Sequence, residues 1–488
     1  MNCDRCSIDN LRSEIPMKRF NHSMLVFAML ASSSLNLSAQ APSPERARTH
    51  WDTVAHDLFK ELVEINTTQS TGSTAQAAKA MAARMKAAGF PDSDIVVIEN
   101  APRLGNLVVR LRAKKAVRKP ILLLSHIDVV EANPADWTLP PFTFTEKDGI
   151  FYGRGTSDNK DDAAIGLALL QRLRAENTPL DRDIIVALTT NEETTGENGV
   201  DYLLKHHREL INAEFVLNEG GSGRVVNGKK ISHDVQEAEK VYVDFQLETT
   251  NPGGHSSRPV KDNAIYDLAA ALGKIAAYDF PVELNGVTKE YFKRSAALVD
   301  PKLGWAMTAI AENPKDVAAA NALSVEPSYN SQLRTTCVAT MLDGGHAPNA
   351  LPQRARANVN CRILPQDDPN DIQKQLAKAV SNPKVVITMK NAPKPSAPSI
   401  LPYELMREVE RVTDQLWPGI GVVPTMGTGA TDGLYLRNAG IPVYGIAGQF
   451  YGDSNAHGMN ERIPQQAFYD SLEFMTQLVK NLSRPVVN

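Results

Sequence analysis

A chain of 488 residues exceeds one ordinary hydrophobic core, so a large domain accompanied by a smaller one is the expected organisation. Hydrophobic residues make up 42% and charged residues 22%, the balance of a soluble globular protein. A formal net charge of -4 supplies no broad basic surface, which argues against nucleic acid or an anionic membrane as the main partner and leaves small ligands open.

The N-terminus reads as an address. Lys18 and Arg19 precede the apolar run "MLVFAML" and then "ASSSLNLSAQA", whose small residues near Ala39 and Ala41 suit a signal peptidase. The run is too short to span a bilayer as a helix, so export to the periplasm or the exterior is expected, without a stable membrane anchor. Residues 1–41 are read as this leader, although "MNCDRCSIDNLRSEIP" is unusual ahead of a signal peptide and leaves Met17 as an alternative start. Cys3 and Cys6 leave with it. Cys337 and Cys361 remain, too few for a disulfide framework or a cysteine zinc site, and a single bridge between them stays open.

From about Ala41 the chain alternates helical stretches with short apolar runs, which predicts an α/β fold with helices flanking a mostly parallel sheet. Helices are expected over 54–65 and 75–88. The strands that follow are "NLVVRLR", "ILLLS", "DIIVALTT" and "AEFVLN", unbroken apolar runs that suit strands covered on both faces. Between them "DDAAIGLALLQRLRAE" has helical spacing and should lie on the sheet. Near Lys240 the character changes: "KVYVDFQLETT" alternates apolar with polar residues, and "TCVATMLDGG" and "ARANVNCRIL" repeat that style around helical segments such as "AIYDLAAALGKIAAY". Residues 240–364 are therefore expected to form an inserted α+β domain. The parallel style returns in "IPVYGIAG", so residues 42–239 and 365–488 are read as one split catalytic domain.

The strand ends carry the chemistry. "ILLLS" runs into His126 and Asp128, "DIIVALTT" into Glu192 and Glu193, "AEFVLN" into Glu219, and "IPVYGIAG" into a loop with His457. Open α/β sheets bind ligands at the carboxyl ends of their strands, so these segments can converge there. Asp158, in "YGRGTSDNKDD", precedes a helix and could join them or merely cap it. Each residue alone has an ordinary reading, as a structural histidine or a solvated loop acid. Together, two histidines and three carboxylates make a ligand set for two zinc ions with one carboxylate bridging.

These segments resemble the dinuclear zinc exopeptidase and amidohydrolase family that includes carboxypeptidase G, aminoacylase, succinyl-diaminopimelate desuccinylase and carnosinase. The matching stretches are "SHIDVV", "DW" followed by "PPFTFTEKDGIFYGRGTSDNK", "TTNEETTGENG", "LNEGG", "NPGGHSS" and "NAHGMNERIP", in the family's order and over nearly the whole mature chain. The resemblance implies that His126 and Glu219 hold one zinc, Glu193 and His457 the other, and that Asp158 bridges them. Asp128 would orient His126. Glu192 would be the general base, taking a proton from the attacking water and returning it to the leaving amine. Manganese or cobalt could replace zinc in such a set.

The inserted domain then acts as a lid. In the family the histidine corresponding to His255, in "TTNPGGHSSRP", supports the oxyanion, often from the partner subunit of a homodimer. "GGHAPNALP" and "NCRIL" resemble substrate-side segments, so Asn349 and Arg362 are candidates for gripping the substrate, with a surface salt bridge as the alternative for Arg362. Two departures stand out: Cys361 occupies a position where relatives often have an acid, and the stretch 280–331 is longer than the compact lid of the smallest relatives. The second leaves dimerisation, and with it the source of His255, open. The resulting expectation is an exported carboxypeptidase or dipeptidase, with an N-acyl-amino-acid amidohydrolase as its nearest rival. A non-catalytic zinc scaffold and a carboxylate-pair glycosidase are the alternatives of other kinds.

Overall fold

Strand Ile121–His126 is buried along its whole length because helices cover both faces of its sheet. Ile121 and Leu123 join one apolar core with Leu58, Leu62, Leu167 and Phe468, whereas Leu122 and Leu124 join a second with Val200, Leu203 and Leu436. Two-sided burial is why the run reads as unbroken apolar sequence. Each such side chain contributes about 1.5–3 kcal/mol by leaving water. The structure, a computed structural model, describes residues 47–485 apart from residue 195. The expected leader lies outside the described residues.

Among the described residues the main sheet has ten strands. Its centre is parallel and runs in the order Ile184–Thr189, Ile121–His126, Phe215–Asn218 and Val443–Gly445. Strands Ile95–Ala101 and Leu104–Leu111 extend one edge in antiparallel fashion. A hairpin of Gly223–Val226 and Lys229–Glu239 extends the other, and Gly421–Gly427 pairs parallel with its longer arm. Helices His50–Glu64, Lys160–Ala175 and Gln465–Leu482 pack together on one face. The first begins at a capping box, where the Thr49 hydroxyl accepts the Asp52 N–H and the Asp52 carboxylate accepts the Thr49 N–H.

A second, antiparallel sheet is ordered Thr336–Gly344, Arg354–Ile363, Val241–Thr250 and Val386–Met389. Helices Ala264–Ala276 and Pro369–Val380 cover one face with Val243, Phe245, Leu247, Val359 and Ile363. The other face is polar: Asp244 accepts from Tyr242, Asn358 and Asn360. The alternation expected for a half-exposed sheet follows from this one-sided packing. Two elements of the small sheet lie beyond Leu364, because Val386–Met389 pairs with Phe245 to Glu248 and the helix before it closes the same core. Helices Gly286–Ser295, Pro301–Glu312, Val317–Ser324 and Pro327–Leu333 instead form a separate core that takes in Val423 of the main sheet. Cys337 and Cys361 stand opposite one another on neighbouring strands and form a disulfide.

Candidate metal centre

Three adjacent parallel strands end side by side, and each delivers an acid or a histidine at its carboxyl end. His126 is the last residue of its strand, Glu219 follows Phe215–Asn218, and Glu192 and Glu193 follow Ile184–Thr189. Two loops from outside the sheet complete the cluster. Asp158 lies just before helix Lys160–Ala175, is joined to Asn159 by a cis peptide bond, and follows a turn through Gly155, whose φ of +88° favours glycine. His457 lies between Phe450–Tyr451 and Arg462–Pro464 with its own backbone at φ 61°. Behind Glu219 a Cβ on Gly221 would fall 2.0 Å from the Gly445 carbonyl, so only glycine lets the two strands approach there.

The five side chains meet around Asp158. Its Oδ1 is 3.0 Å from His126 Nε2 and its Oδ2 is 3.1 Å from His457 Nε2. Glu219 Oε2 lies 3.6 Å from His126 Nε2, and Glu193 Oε1 lies 2.7 Å from His457 Nε2. Ligand atoms of His126, Asp158 and Glu193 all fall within 4.8 Å of one another. His126 Nδ1 donates to the Asp128 backbone carbonyl at 3.0 Å, which leaves Nε2 facing the acids.

Electrostatics fit a centre built for cations. Burial alone would lower the pKa of His126, but Glu219 and Asp158 outweigh it and hold the imidazole well above its usual value. Hydrogen bonds donated to the Asp158 and Glu193 carboxylates raise His457 to about 10. Burial acts to raise Asp158, yet the two histidines hold it below the usual carboxylate range. Protons here do what divalent cations do better, neutralising clustered carboxylates, and cations bound to this set displace them. Nitrogen and oxygen donors of this mix suit zinc, manganese or cobalt.

Asp128 orients His126 through its backbone carbonyl and not through its carboxylate. Its nearer carboxylate oxygen is 3.8 Å from His126 Nδ1. That carboxylate instead accepts the backbone N–H groups of Glu192 and Glu193, at 3.1 and 3.0 Å, and so fixes the turn that presents both glutamates. Burial pushes Glu192 well above the usual carboxylate range, with Glu219, Asp432 and Glu193 adding to it against His126. Of the adjacent pair, Glu193 touches His457, while Glu192 stands protonatable beside the cluster.

The lid candidates are placed less closely. His255 pairs with Ala350 in a short ladder of Gly254–His255 with Ala350–Leu351, and Asn349 flanks it at an exposed rim. Ser257 donates to His255 Nδ1, the Asn349 carbonyl accepts the Ser256 N–H, and among the described residues no hydrogen bond joins either to the five-residue cluster. Arg362 is half-buried, with its guanidinium 4.8 Å over the Tyr242 ring and Nη1 3.4 Å from the Thr428 carbonyl. No ion pair engages it among the described residues, so the surface salt bridge is not formed.

Several residues that build the centre were not foreseen. Glu461 accepts from Arg154 at 2.8 Å and from the N–H groups of Gly155 and Ser157, bracing the loop that carries Asp158. Arg154 also donates to the His457 carbonyl. Buried Asp432 accepts from Thr189 and from Asn198, and Asn198 donates to the Asn191 carbonyl next to Glu192. Glu461 lies in "NAHGMNERIP", a stretch already singled out, and Asp432 lies in "MGTGATDGLYLR", just ahead of the last strand of the main sheet's parallel centre. The signal that could have found Glu461 is Arg154 itself, an arginine in a glycine-rich loop that needs a buried acid.

A mixed α/β sheet with this nitrogen and oxygen cluster at its strand ends defines a metal-dependent hydrolase. Residues 122–481 match the profile of peptidase family M20/M25/M40, and the chain belongs to that family. It is 28% identical over 383 residues to the mouse (Mus musculus) N-fatty-acyl-amino acid synthase/hydrolase PM20D1, covering 74% of each chain. It is 27% identical to probable carboxypeptidase S-like 2 of Dictyostelium discoideum, covering 75% of this chain and 72% of the relative. Its fold matches the M20 family metallo-carboxypeptidase Sso-CP2 from Sulfolobus solfataricus with a TM-score of 0.66 at 20% identity, over 87% of this chain and 98% of that one.

Proposed function

We propose that the protein hydrolyses an amide bond next to a free carboxylate, as an exported carboxypeptidase or dipeptidase. One observation carries this reading: the two oxygens of Asp158 are divided between His126 and His457, at 3.0 and 3.1 Å, as a ligand shared by two cations requires. His126 and Glu219 would hold one cation and Glu193 and His457 the other, with zinc the first candidate. Such a pair supplies Lewis acidity and lowers the pKa of water. Glu192 takes the proton of the attacking water and passes it to the leaving amine, a role its raised pKa suits. Arg362 grips the free carboxylate through its planar fork, with Asn349 on the same side of the substrate.

His255 supports the developing oxyanion from a partner subunit in a homodimer built through the lid. Its exposure on its own chain supports this, as does the exposed edge strand Thr336–Gly344, where Val338, Met341 and Leu342 face outward. The disulfide between Cys337 and Cys361 supports export, because cytosolic thiols are kept reduced.

A second reading, an N-acyl-amino-acid amidohydrolase, is favoured by the name of the mouse relative and shares all of the metal chemistry. A panel of dipeptides and N-acyl amino acids, assayed after chelation and again after metal restoration, tests both. Turnover confined to dipeptides selects the first, and turnover confined to N-acyl amino acids selects the second. Activity untouched by thorough chelation overturns the mechanism common to them.

A further inference from the structure

Lys240 is the single residue between strand Lys229–Glu239 of the main sheet and strand Val241–Thr250 of the small one, and it is 1% exposed. Its backbone N–H donates to the Gly427 carbonyl at 2.9 Å. Its ammonium donates to the Arg334 carbonyl at 2.6 Å and lies 3.4 Å from the Thr336 hydroxyl, where the chain crosses back into the small sheet. The turn after Arg354–Ile363, within the small domain, is tied to the same place: Leu364 N–H donates to the Thr335 hydroxyl, which donates to Asp367. On the main-sheet side Glu239 is pinned by a buried ion pair with Arg437 at 2.8 Å and by the Thr431 hydroxyl.

These bonds surround Arg362. Its two cross-strand partners are Thr336, which bonds the Lys240 ammonium, and Tyr242, two residues along from Lys240. Its contact on the main domain is the Thr428 carbonyl, one residue along from the carbonyl that accepts the Lys240 N–H. Burial pushes the Lys240 ammonium down to about 7, Arg362 acts in the same direction and Asp367 opposes them. A buried amine is costly unless its donors are satisfied, so its retention here points to a geometric task.

We propose that Lys240 is a positioning residue that holds Arg362 at a fixed place against the Thr428 carbonyl of the main domain, so that recognition of the substrate's free carboxylate depends on it. This rests on the reading that Arg362 grips that carboxylate. The test compares Lys240→Met, Lys240→Arg and Arg362→Met on a substrate with a free carboxylate and on its carboxamide analogue, with metal content measured for each. Lys240→Met should raise KM for the carboxylate substrate about tenfold, leave KM for the carboxamide and the metal content unchanged, and alter kcat little. Lys240→Arg, which keeps the donors, should recover part of the loss. If Lys240→Met does not fold, Lys240→Gln, whose shorter side chain withdraws its amide from the Arg334 carbonyl while staying polar, takes its place under the same expectations. Should Arg362→Met abolish the preference for the carboxylate while the Lys240 variants leave it intact, the positioning role is overturned and the underlying reading survives. Should Arg362→Met itself leave that preference intact, the reading of Arg362 falls and the proposal with it.

Discussion

Arg154 and Glu461 form an ion pair of 2.8 Å in which neither side chain is more than 3% exposed. It lies under both loops that enter the centre from outside the sheet, since Glu461 accepts the N–H groups of Gly155 and Ser157 and Arg154 donates to the His457 carbonyl. Removing the charge of Glu461 strands a buried guanidinium and loosens Asp158 and His457 together. Glu461→Gln should weaken metal binding about 10- to 100-fold, the usual effect of losing a group that orients ligands. Competition with a chelator of known affinity measures it; unchanged affinity in a folded variant would contradict the bracing role.

Glu192 touches neither histidine, whereas its neighbour Glu193 lies 2.7 Å from His457. Glu192→Gln should therefore keep its metal and lose turnover by about 10²- to 10⁴-fold, with KM little changed. Loss of metal along with activity would make Glu192 a ligand instead of a proton carrier.

Sharing of Asp158 between the two halves of the cluster predicts unequal consequences for its members. Asp158→Asn should abolish binding of both cations. Glu219→Gln, which affects only the His126 half, should leave one, because His457 and Glu193 stay paired. Metal analysis after gel filtration decides the matter. Equal stoichiometry in the two variants would exclude a bridging carboxylate.

The disulfide closes a loop with a sequence separation of 24, for which chain entropy corresponds to about 3 kcal/mol of stabilisation. Reduction, or Cys337→Ser, should lower stability by roughly that amount in denaturant titrations. The metal content should stay as it was, since the bridge joins two strands of the small sheet and the cluster around Asp158 stands at the strand ends of the main one. Coincident loss of metal would show that the lid and the centre unfold as one unit.

The parallel strands were legible because burial on both faces leaves no room for alternation, as Leu122 and Leu123 show by pointing into different cores. The five clustered side chains were legible for a related reason, since three of them stand at or just past the end of such a run. Strand Lys229–Glu239 was not. It buries His233, Gln236 and Glu239, with His233 bonded to Ala447 and Glu239 to Thr431, so its sequence lacks the unbroken apolar run of a buried strand. Arg154 and Glu461 were missed in the same way, because they are 307 residues apart and the pairing exists only in three dimensions. The small sheet's last strand, Val386–Met389, is too short and too plain to declare which sheet it joins.

His233 provides a test of folding in acid that is independent of the metal centre. Its ring is wholly buried beside Trp417, Phe450 and Phe474, with Nε2 donating to the Ala447 carbonyl and Nδ1 accepting from Thr413. Burial pushes its pKa from the usual 6.5 down to about 4, with the bond to Ala447 opposing. Between those values the unfolded chain binds a proton that the folded chain refuses, so stability falls as pH is lowered through this window. The contribution is complete above 6.5 and is lost by about 4, a span of about 3 kcal/mol. His233→Gln has no titrating ring, so its stability should decline less steeply than the wild type's across the same range, whatever its stability at neutral pH. Unfolding midpoints measured for both proteins from pH 7 to about pH 4 give the two slopes; parallel slopes would mean that the buried imidazole is already charged in the native state.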